Sequence, residues 1–192
     1  MSRIIYLHGF LSSPDSFKAK CTQRWLQESR PDIEYLCPLL SADPSESLET
    51  LDKLFTRERA RDTFVIGSSL GGFWSTYVIE RELAQKAALI NPAVSPHTRF
   101  NEFVGKELQN YYTDDCYTLD DNDLAVLLDC DGESLCQIGR YYLLVQKGDE
   151  VLDYRQALTR YNGCKQTVEV GGNHGFEDYE KHLPDILSFF EL

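Results

Sequence analysis

Short apolar runs alternate with longer amphipathic stretches along almost the whole of this 192-residue chain. Strands buried on both faces read as continuous runs of aliphatic and β-branched residues. Helices between such strands make them parallel, with right-handed crossovers. The pattern predicts an α/β fold, a doubly wound and mostly parallel sheet of about six strands, at Ile4–Leu7, Ile33–Cys37, Phe64–Ile66, Ala87–Ile90, Tyr142–Val145 and Thr167–Val170.

Two helix starts carry a capping side chain followed by proline at the first helical position. They are Ser13-Pro14 and Asp43-Pro44. After the first, Phe17, Cys21 and Trp25 recur every fourth residue, which predicts that one face of that helix is buried. Further helices are expected at Gly71–Leu83, Asp153–Tyr161 and Tyr179–Phe190, the last kinked or delayed by Pro184.

The alternation breaks between about residues 93 and 139, a stretch too long for a plain loop. Leu124, Leu127 and Leu128 are spaced as on a helix. We therefore expect a short helical cap inserted into a single domain that covers residues 1–192. The acidic run Asp129–Glu133 resembles the start of an EF-hand loop, but its glycine comes too early and no acid completes the loop. We interpret it as a solvated loop and predict no metal site.

The chain has 19 basic and 31 acidic residues and a net charge of −12. An acidic surface repels nucleic acid and anionic membranes, so neither is an expected partner. No apolar run is long enough to span a bilayer, and the N-terminal apolar run is too short for a signal peptide. The six cysteines form no C-x-x-C pair, so reduced thiols and a cytoplasmic location are predicted.

Gly67-Ser68-Ser69-Leu70-Gly71 fits the pattern G-x-S-x-G and lies between a predicted strand and a predicted helix. This setting is typical of a nucleophile elbow, with Ser69 as nucleophile and the Leu70 amide directed at a developing oxyanion. Ser68 is a rival hydroxyl, although the glycine spacing favours Ser69. The alternative interpretation is a glycine-rich turn, in some proteins a phosphate-binding one.

His8-Gly9-Phe10 follows the first predicted strand. A His-Gly pair at this position is typical of the oxyanion loop of esterases, and we assign the second oxyanion donor to the Phe10 backbone N–H. A tight turn held by His8 is the alternative. Both interpretations give His8 a structural role.

The general base is predicted at His174, in a glycine-rich loop after the last strand. His182 is expected at the surface, and His97 at the start of the cap in contact with substrate. Asp149 follows the fifth predicted strand and is the expected acid partner of the imidazole. Glu150, Asp153 and Asp178 are its rivals, and a turn-capping role is the alternative for Asp149 itself.

Ser69, Asp149 and His174 occur in the chain order of α/β-hydrolase triads, and each follows a strand. No H-E-x-x-H, Walker or G-x-G-x-x-G motif competes with them. They predict acyl transfer through an acyl-enzyme, with no cofactor. Because the base must start neutral, activity should rise through the ordinary imidazole pKa of about 6.5.

Aromatic side chains near these motifs are candidates for an acyl pocket, and plain core packing is the alternative. Phe73 and Trp74, on the helix after the elbow, are assigned to substrate binding together with His97. Further candidates are Phe10, Phe100, Phe103, Tyr111 and Tyr112.

Several segments together resemble the small bacterial YqiA-type esterases, from Arg3 to the C-terminus. They are Tyr6-Leu7-His8-Gly9-Phe10, Gly67-Ser68-Ser69-Leu70-Gly71-Gly72, Asn91-Pro92-Ala93, Gly148-Asp149-Glu150-Val151-Leu152-Asp153-Tyr154-Arg155-Gln156-Ala157 and Gly171-Gly172-Asn173-His174. The resemblance implies a compact α/β-hydrolase without the first two strands of larger members. It also implies the roles of nucleophile, acid and base for Ser69, Asp149 and His174.

The sequence therefore predicts a serine esterase acting on small or acyl-chain carboxylic esters. A thioester hydrolase with the same triad and a non-catalytic interaction module of the same fold are the alternatives. The expected partner is a small-molecule ester or thioester, and the oligomeric state is left open.

Overall fold

The computed structural model describes residues 1–192 and contains a six-stranded parallel sheet in the order β2-β1-β3-β4-β7-β8. Strands β5 and β6 pair with each other as a separate antiparallel hairpin. All six strands predicted from the sequence are present, displaced at most by a few residues at their ends. The strands are β1 (Arg3–Leu7), β2 (Glu34–Leu36), β3 (Thr63–Ser68), β4 (Lys86–Ile90), β5 (Glu107–Gln109), β6 (Cys116–Thr118), β7 (Tyr141–Gln146) and β8 (Lys165–Glu169).

Helices cover both faces of the sheet. One face packs against α1 and α7, and the other against α2, α3 and α6. The helices are α1 (Phe17–Ser29), α2 (Pro44–Leu54), α3 (Leu70–Glu80), α4 (Pro96–Phe100), α5 (Asp121–Cys130), α6 (Tyr154–Arg160) and α7 (Leu183–Phe190), and 3₁₀ turns occur at Arg57–Asp62, Asn101–Phe103, Ile138–Arg140 and Tyr179–His182. None of the helices combines the length and apolarity needed to cross a membrane.

The direction in which strands are added to the sheet reverses at β1. The chain first adds β2 on one side of β1 and then returns to add β3 on the other side. The loops that follow β1 and β3 therefore diverge and leave a crevice at the C-terminal edge of the sheet. In open α/β sheets, ligands bind at such a switch point.

Of the two predicted helix starts, one is confirmed and the other differs. Asp43 caps α2 as predicted, since its carboxylate accepts from the N–H groups of Ser45 and Glu46. The Ser13 hydroxyl instead accepts from the Asp15 N–H within a turn, and α1 begins only at Phe17. The prediction that Phe17 is buried is wrong, because this side chain is 66% exposed.

Pro184 lies in the first turn of α7, and a 3₁₀ turn precedes it, so the proline delays the helix as predicted.

Residues 93–139 fold into α4, a 3₁₀ turn, the β5–β6 hairpin and α5. Helix α5 begins with a capping box between Asp120 and Asp123. Leu127 is buried as its spacing predicts, whereas Leu128 is 55% exposed. In the acidic run, Asp131 is ion-paired with Arg160 at 3.2 Å. No group of His, Cys, Asp and Glu side chains is arranged to hold a metal ion.

Candidate active site

Ser69 occupies the sharp turn between β3 and α3. Its backbone has φ 55° and ψ −121°, a conformation that costs energy for any residue with a Cβ atom and that marks functional turns. The turn is possible because glycines flank it. A Cβ atom on Gly67 would lie 2.2 Å from the Gly71 carbonyl oxygen, and one on Gly71 would lie 1.9 Å from the Leu7 carbonyl oxygen. The glycines of G-x-S-x-G therefore let α3 start directly against β1.

A continuous chain of hydrogen bonds links Ser69, His174 and Asp149. His174 Nε2 lies 3.1 Å from Ser69 Oγ, and His174 Nδ1 lies 2.8 Å from Asp149 Oδ2. An ionised carboxylate only accepts, so Nδ1 carries the imidazole proton and Nε2 is free to accept from the Ser69 hydroxyl. The structure brings together the three residues expected from the sequence, in the geometry that a serine nucleophile requires.

The Asp149 carboxylate is held on both oxygens. Oδ1 accepts from the backbone N–H groups of Val151 and Leu152, each at 2.8 Å, while Oδ2 faces the imidazole. Burial disfavours the charge, but the hydrogen bonds from His174, Leu152 and Val151 outweigh it and lower the pKa of Asp149 below its ordinary value. The lowered pKa favours the ionised carboxylate, which accepts the hydrogen bond from His174 Nδ1.

The rival acids have other contacts. Glu150 accepts from the backbone N–H of His174 at 3.0 Å and does not reach the imidazole ring. Asp153 caps α6 through the Arg155 N–H, and Asp178 pairs with Lys181.

The amides of Phe10 and Leu70, predicted to be oxyanion donors, both belong to residues that line the cavity around Ser69. Neither N–H donates to an acceptor within the protein. Leu70 is the first residue of α3, where the backbone N–H groups have no partner inside the helix. The loop after β1 lies close to Ser69, since a Cβ atom on Gly9 would lie 3.2 Å from Ser69 Cβ.

His8 holds the loop after β1 through both ring nitrogens. Nε2 accepts from the Leu40 N–H at 3.0 Å, so Nδ1 carries the proton and donates to the Gly9 carbonyl at 2.9 Å. Burial lowers the pKa of His8. The imidazole is therefore neutral and structural, in agreement with the sequence interpretation.

A cavity of about 950 Å³ contains Ser69 in its lining and is also lined by the inserted segment from Ala93 to Tyr112. Phe10 and Phe100 form its inner wall with ring centroids 4.6 Å apart. Tyr111, 78% exposed, and the exposed Phe17 stand at its rim. Further apolar lining residues include Leu11, Phe103, Leu108, Tyr112, Val151 and Leu152.

The assignment of Phe73, Trp74 and His97 to substrate binding is not supported by their positions, because none of them lines this cavity. Trp74 is 1% exposed and lies in the core between the sheet and α3. Phe73 faces the core and a separate small hollow. The His97 ring turns toward Asp131, 3.7 Å away, because α4 packs against α5.

The expectation that His182 is a surface residue is wrong. Its ring packs edge-on against Phe176 and pairs with Glu169 at 3.1 Å.

Three residues around the site were not assigned a role from the sequence. Asn91 and Gln146 contact the loop that carries His174 through buried side-chain amides. Lys18 Nζ donates to the Gly175 carbonyl at 2.9 Å, and burial lowers the pKa of this lysine to about 8 although the Asp149 charge opposes the shift. Asn91 had a signal in the sequence, an Asn-Pro pair directly after a buried strand.

Comparison with known proteins identifies a family and a fold. A family model described as "Uncharacterised protein family (UPF0227)" matches residues 3–191. The match covers almost the whole chain and confirms the family resemblance carried by the sequence motifs.

Solved structures share the architecture at low sequence identity. Est1E from Butyrivibrio proteoclasticus is 16% identical with a TM-score of 0.67, covering 99% of this chain and 87% of its own. Alpha/beta hydrolase domain-containing protein 10 from mouse is also 16% identical, with a TM-score of 0.70 and coverage of 98% and 88%. The esterase domain of a Rhodothermus marinus protein is 14% identical, with a TM-score of 0.61 and coverage of 96% and 83%. The predicted α/β-hydrolase fold is confirmed.

Proposed function

The chain belongs to the uncharacterised protein family UPF0227, and we propose that it is a serine esterase with Ser69 as nucleophile, His174 as base and Asp149 as the orienting acid. The observation that carries the proposal is the hydrogen-bonded chain from Asp149 through His174 to a serine in a strained turn. A fold alone does not establish an activity, whereas a nucleophile, base and orienting acid within hydrogen-bond distance of one another do point to acyl transfer.

In the first half-reaction, His174 Nε2 takes the hydroxyl proton as Ser69 Oγ bonds to the ester carbonyl carbon. The negative charge moves to the carbonyl oxygen, where the amides of Phe10 and Leu70 donate to it. The carbon–oxygen bond to the alcohol then breaks, and the leaving alkoxide takes the proton from His174. An acyl-enzyme on Ser69 and a free alcohol are the products.

In the second half-reaction, water replaces the alcohol. His174 takes a proton from the water as its oxygen attacks the acyl carbon, and the same two amides hold the oxyanion. The bond to Ser69 Oγ breaks, Oγ recovers the proton from His174, and the carboxylic acid leaves. Asp149 stabilises the imidazolium in both halves.

The substrate class follows from the cavity walls. Phe10, Phe100 and Leu108 provide apolar surface in the cavity that Ser69 lines, so we assign an apolar acyl group to this cavity. The substrate is then a carboxylic ester with an apolar acyl group. All six cysteines are free thiols, which fits a reducing compartment such as the cytoplasm.

The test is labelling of the purified protein with a fluorophosphonate, followed by peptide mass mapping and a panel of p-nitrophenyl esters of increasing acyl length. We expect a single adduct, on Ser69, and ester turnover that is lost in Ser69→Ala. Ser68→Ala is the matched control, because it removes the neighbouring hydroxyl and should keep both labelling and turnover. A folded wild-type protein that takes no label and turns over no ester would refute the proposal.

A further inference from the structure

The loop that carries the proposed base contains no helix or strand, so its position depends on hydrogen bonds from other parts of the chain. His174 lies between β8 and the 3₁₀ turn that precedes α7, and two residues of this loop, Gly171 and Gly172, have positive φ. The nucleophile is different, because its backbone N–H and carbonyl are both bonded to the end of β4 and the turn that follows it. Ser69 N–H donates to the Ile90 carbonyl at 3.1 Å, and the Ser69 carbonyl accepts from Ala93 N–H at 2.9 Å. The distance between the base and the nucleophile thus depends on what ties the loop to the sheet.

Several side chains tie this loop down, and Asn91 makes the tie that reaches the His174 carbonyl. It is the first residue after β4, is 2% exposed, and has φ 41°, a left-handed conformation that asparagine tolerates better than most residues. Its side-chain Nδ2 donates to the Asn173 carbonyl at 3.0 Å and to the His174 carbonyl at 3.3 Å. No other donor reaches the His174 carbonyl oxygen.

The orientation of the Asn91 amide is fixed by its partners. Its Oδ1 accepts from the Gln146 backbone N–H at 3.0 Å, which can only donate, while its Nδ2 faces two carbonyl oxygens, which can only accept. The amide therefore makes one hydrogen bond through its oxygen and two through its nitrogen. Neither a hydroxyl nor a carboxylate of similar size reproduces this set of one acceptor and two donors.

The same turn also holds the nucleophile, since Ile90 and Ala93 bond to Ser69. In addition, Pro92 packs against the start of α3, where a Cβ atom on Gly72 would lie 2.5 Å from Pro92 Cβ. The turn of residues 90–93 therefore contacts the nucleophile through its backbone and the base through one side chain.

We propose that Asn91 is a positioning residue that sets the distance between the His174 imidazole and Ser69, by tying the His174 carbonyl to the turn that holds Ser69. The inference rests on the proposed function, because it assigns Asn91 a role in the reaction through His174. Gln146 supports the neighbouring residues through its own amide, whose Oε1 accepts from Asn173 and Glu177 N–H groups, but it does not bond to His174.

The variants are Asn91→Ala, which removes both sides of the amide, and Asn91→Asp, which keeps the acceptor for Gln146 and loses the donors when ionised. A displacement of about 1 Å in a reacting group costs on the order of 100-fold in rate. We expect kcat for a p-nitrophenyl ester to fall by about 100-fold in both variants, with KM changed less than about twofold because the cavity walls are untouched.

A double variant separates positioning of the base from general damage. If Asn91 acts through His174, Asn91→Ala should change the residual rate of His174→Ala less than about threefold, because the group it positions is gone. A full 100-fold further loss in the double variant would overturn the proposal, and so would a single variant with more than a third of wild-type kcat. The matched control is Thr63→Val, another buried polar residue, bonded to Arg3 and remote from the site. It should lower stability and leave kcat unchanged.

A measurement that needs no turnover keeps the proposal testable. Hydrogen exchange of a peptide spanning residues 171–177 should be at least 10-fold faster in Asn91→Ala, or in Asn91→Asp if the alanine variant does not fold, with no change in peptides from α1. An unchanged exchange rate in this peptide would refute the proposal that Asn91 holds the loop. If wild-type protein labels at Ser69 and turns over esters but the Asn91 variants behave like wild type, only this inference fails. If wild type does neither, the proposed function fails.

Discussion

Asp149→Asn is the change that most directly tests how the proposed triad works. Asp149 Oδ1 accepts from the Val151 and Leu152 N–H groups, and Oδ2 accepts from His174 Nδ1. In the variant, the amide oxygen must stay on the two backbone N–H groups, which can only donate. The amide nitrogen then faces His174 Nδ1 and donates to it. The imidazole proton is forced onto Nε2, which points at Ser69 as a donor and can no longer accept the hydroxyl proton.

The size of the expected loss in kcat follows because Asp149→Asn removes the base function of His174 and keeps the structure. In a serine protease the corresponding change of carboxylate to amide lowers kcat by about 10⁴-fold through the wrong tautomer. The same loss is expected here, about 5.5 kcal/mol of activation free energy. All three hydrogen bonds have an equivalent in the variant, so its free energy of unfolding should stay within about 1 kcal/mol of wild type.

The assay compares kcat/KM for a short p-nitrophenyl ester, and the rate of fluorophosphonate labelling, between wild type and variant at pH 7.5. Glu150→Gln and Asp153→Asn are the matched controls, since both remove one negative charge on the same loop without facing the imidazole ring. We expect each control to lose less than about 10-fold. An Asp149→Asn protein that keeps a tenth of the wild-type kcat/KM, or an Asp153→Asn protein that loses 10⁴-fold, would refute the assignment of the acid.

Three other predictions concern the stability of the fold around the site and the binding of substrate in the cavity. Gly71→Ala places a Cβ atom 1.9 Å from the Leu7 carbonyl oxygen and should cost about 3 kcal/mol or more in urea denaturation, whereas Gly139→Ala, with open space around it, should cost less than about 1 kcal/mol. Burial lowers the pKa of His8, so at acidic pH the unfolded state binds a proton that the folded state does not. The free energy of unfolding should therefore fall as the pH drops from 7.5 to 5, by up to about 1.4 kcal/mol per pH unit from this group. In His8→Gln the fall should be shallower. Phe100→Ala should raise KM for a long-chain p-nitrophenyl ester about 10-fold and leave the acetate ester unchanged, because Phe100 lines the cavity beyond Ser69; equal effects on both esters would contradict the acyl assignment.

The sheet and the order of the site residues could be predicted because each depends on a local pattern. Parallel strands buried on both faces leave continuous apolar runs, and the residues after Ser68, Gln146 and Glu169 then meet at one edge of the sheet. The β5–β6 hairpin left no such pattern. Its strands have three residues each, with only the middle residue partly buried, which is too short for an apolar run or an alternating pattern to be recognised.

The direction in which a side chain points is hard to predict from the sequence when its helix is buried on all faces. Ten of the eleven residues of α3 are buried, so the periodicity does not show which of them face the sheet and which face the cavity. Phe73 and Trp74 were assigned to the cavity for their position after Ser69, yet both pack in the core. The contact of His97 with Asp131 joins α4 to the end of α5, and a pairing between separate elements leaves no mark in a local window of sequence.

In the proposed site, Ser69 is held by main-chain hydrogen bonds and His174 by side-chain hydrogen bonds. This difference determines which substitutions each residue's surroundings tolerate. Ser69 is held by main-chain bonds to the Ile90 carbonyl and the Ala93 N–H, which do not depend on the side chains at those positions as long as residue 93 is not proline. What limits substitution there is space, at the glycines of the elbow. The base is held by side chains, from Asn91 to its carbonyl and from Glu150 to its N–H. Substitutions beside the nucleophile should therefore act first on stability, whereas substitutions beside the base should also lower kcat, because they release the loop that holds the imidazole.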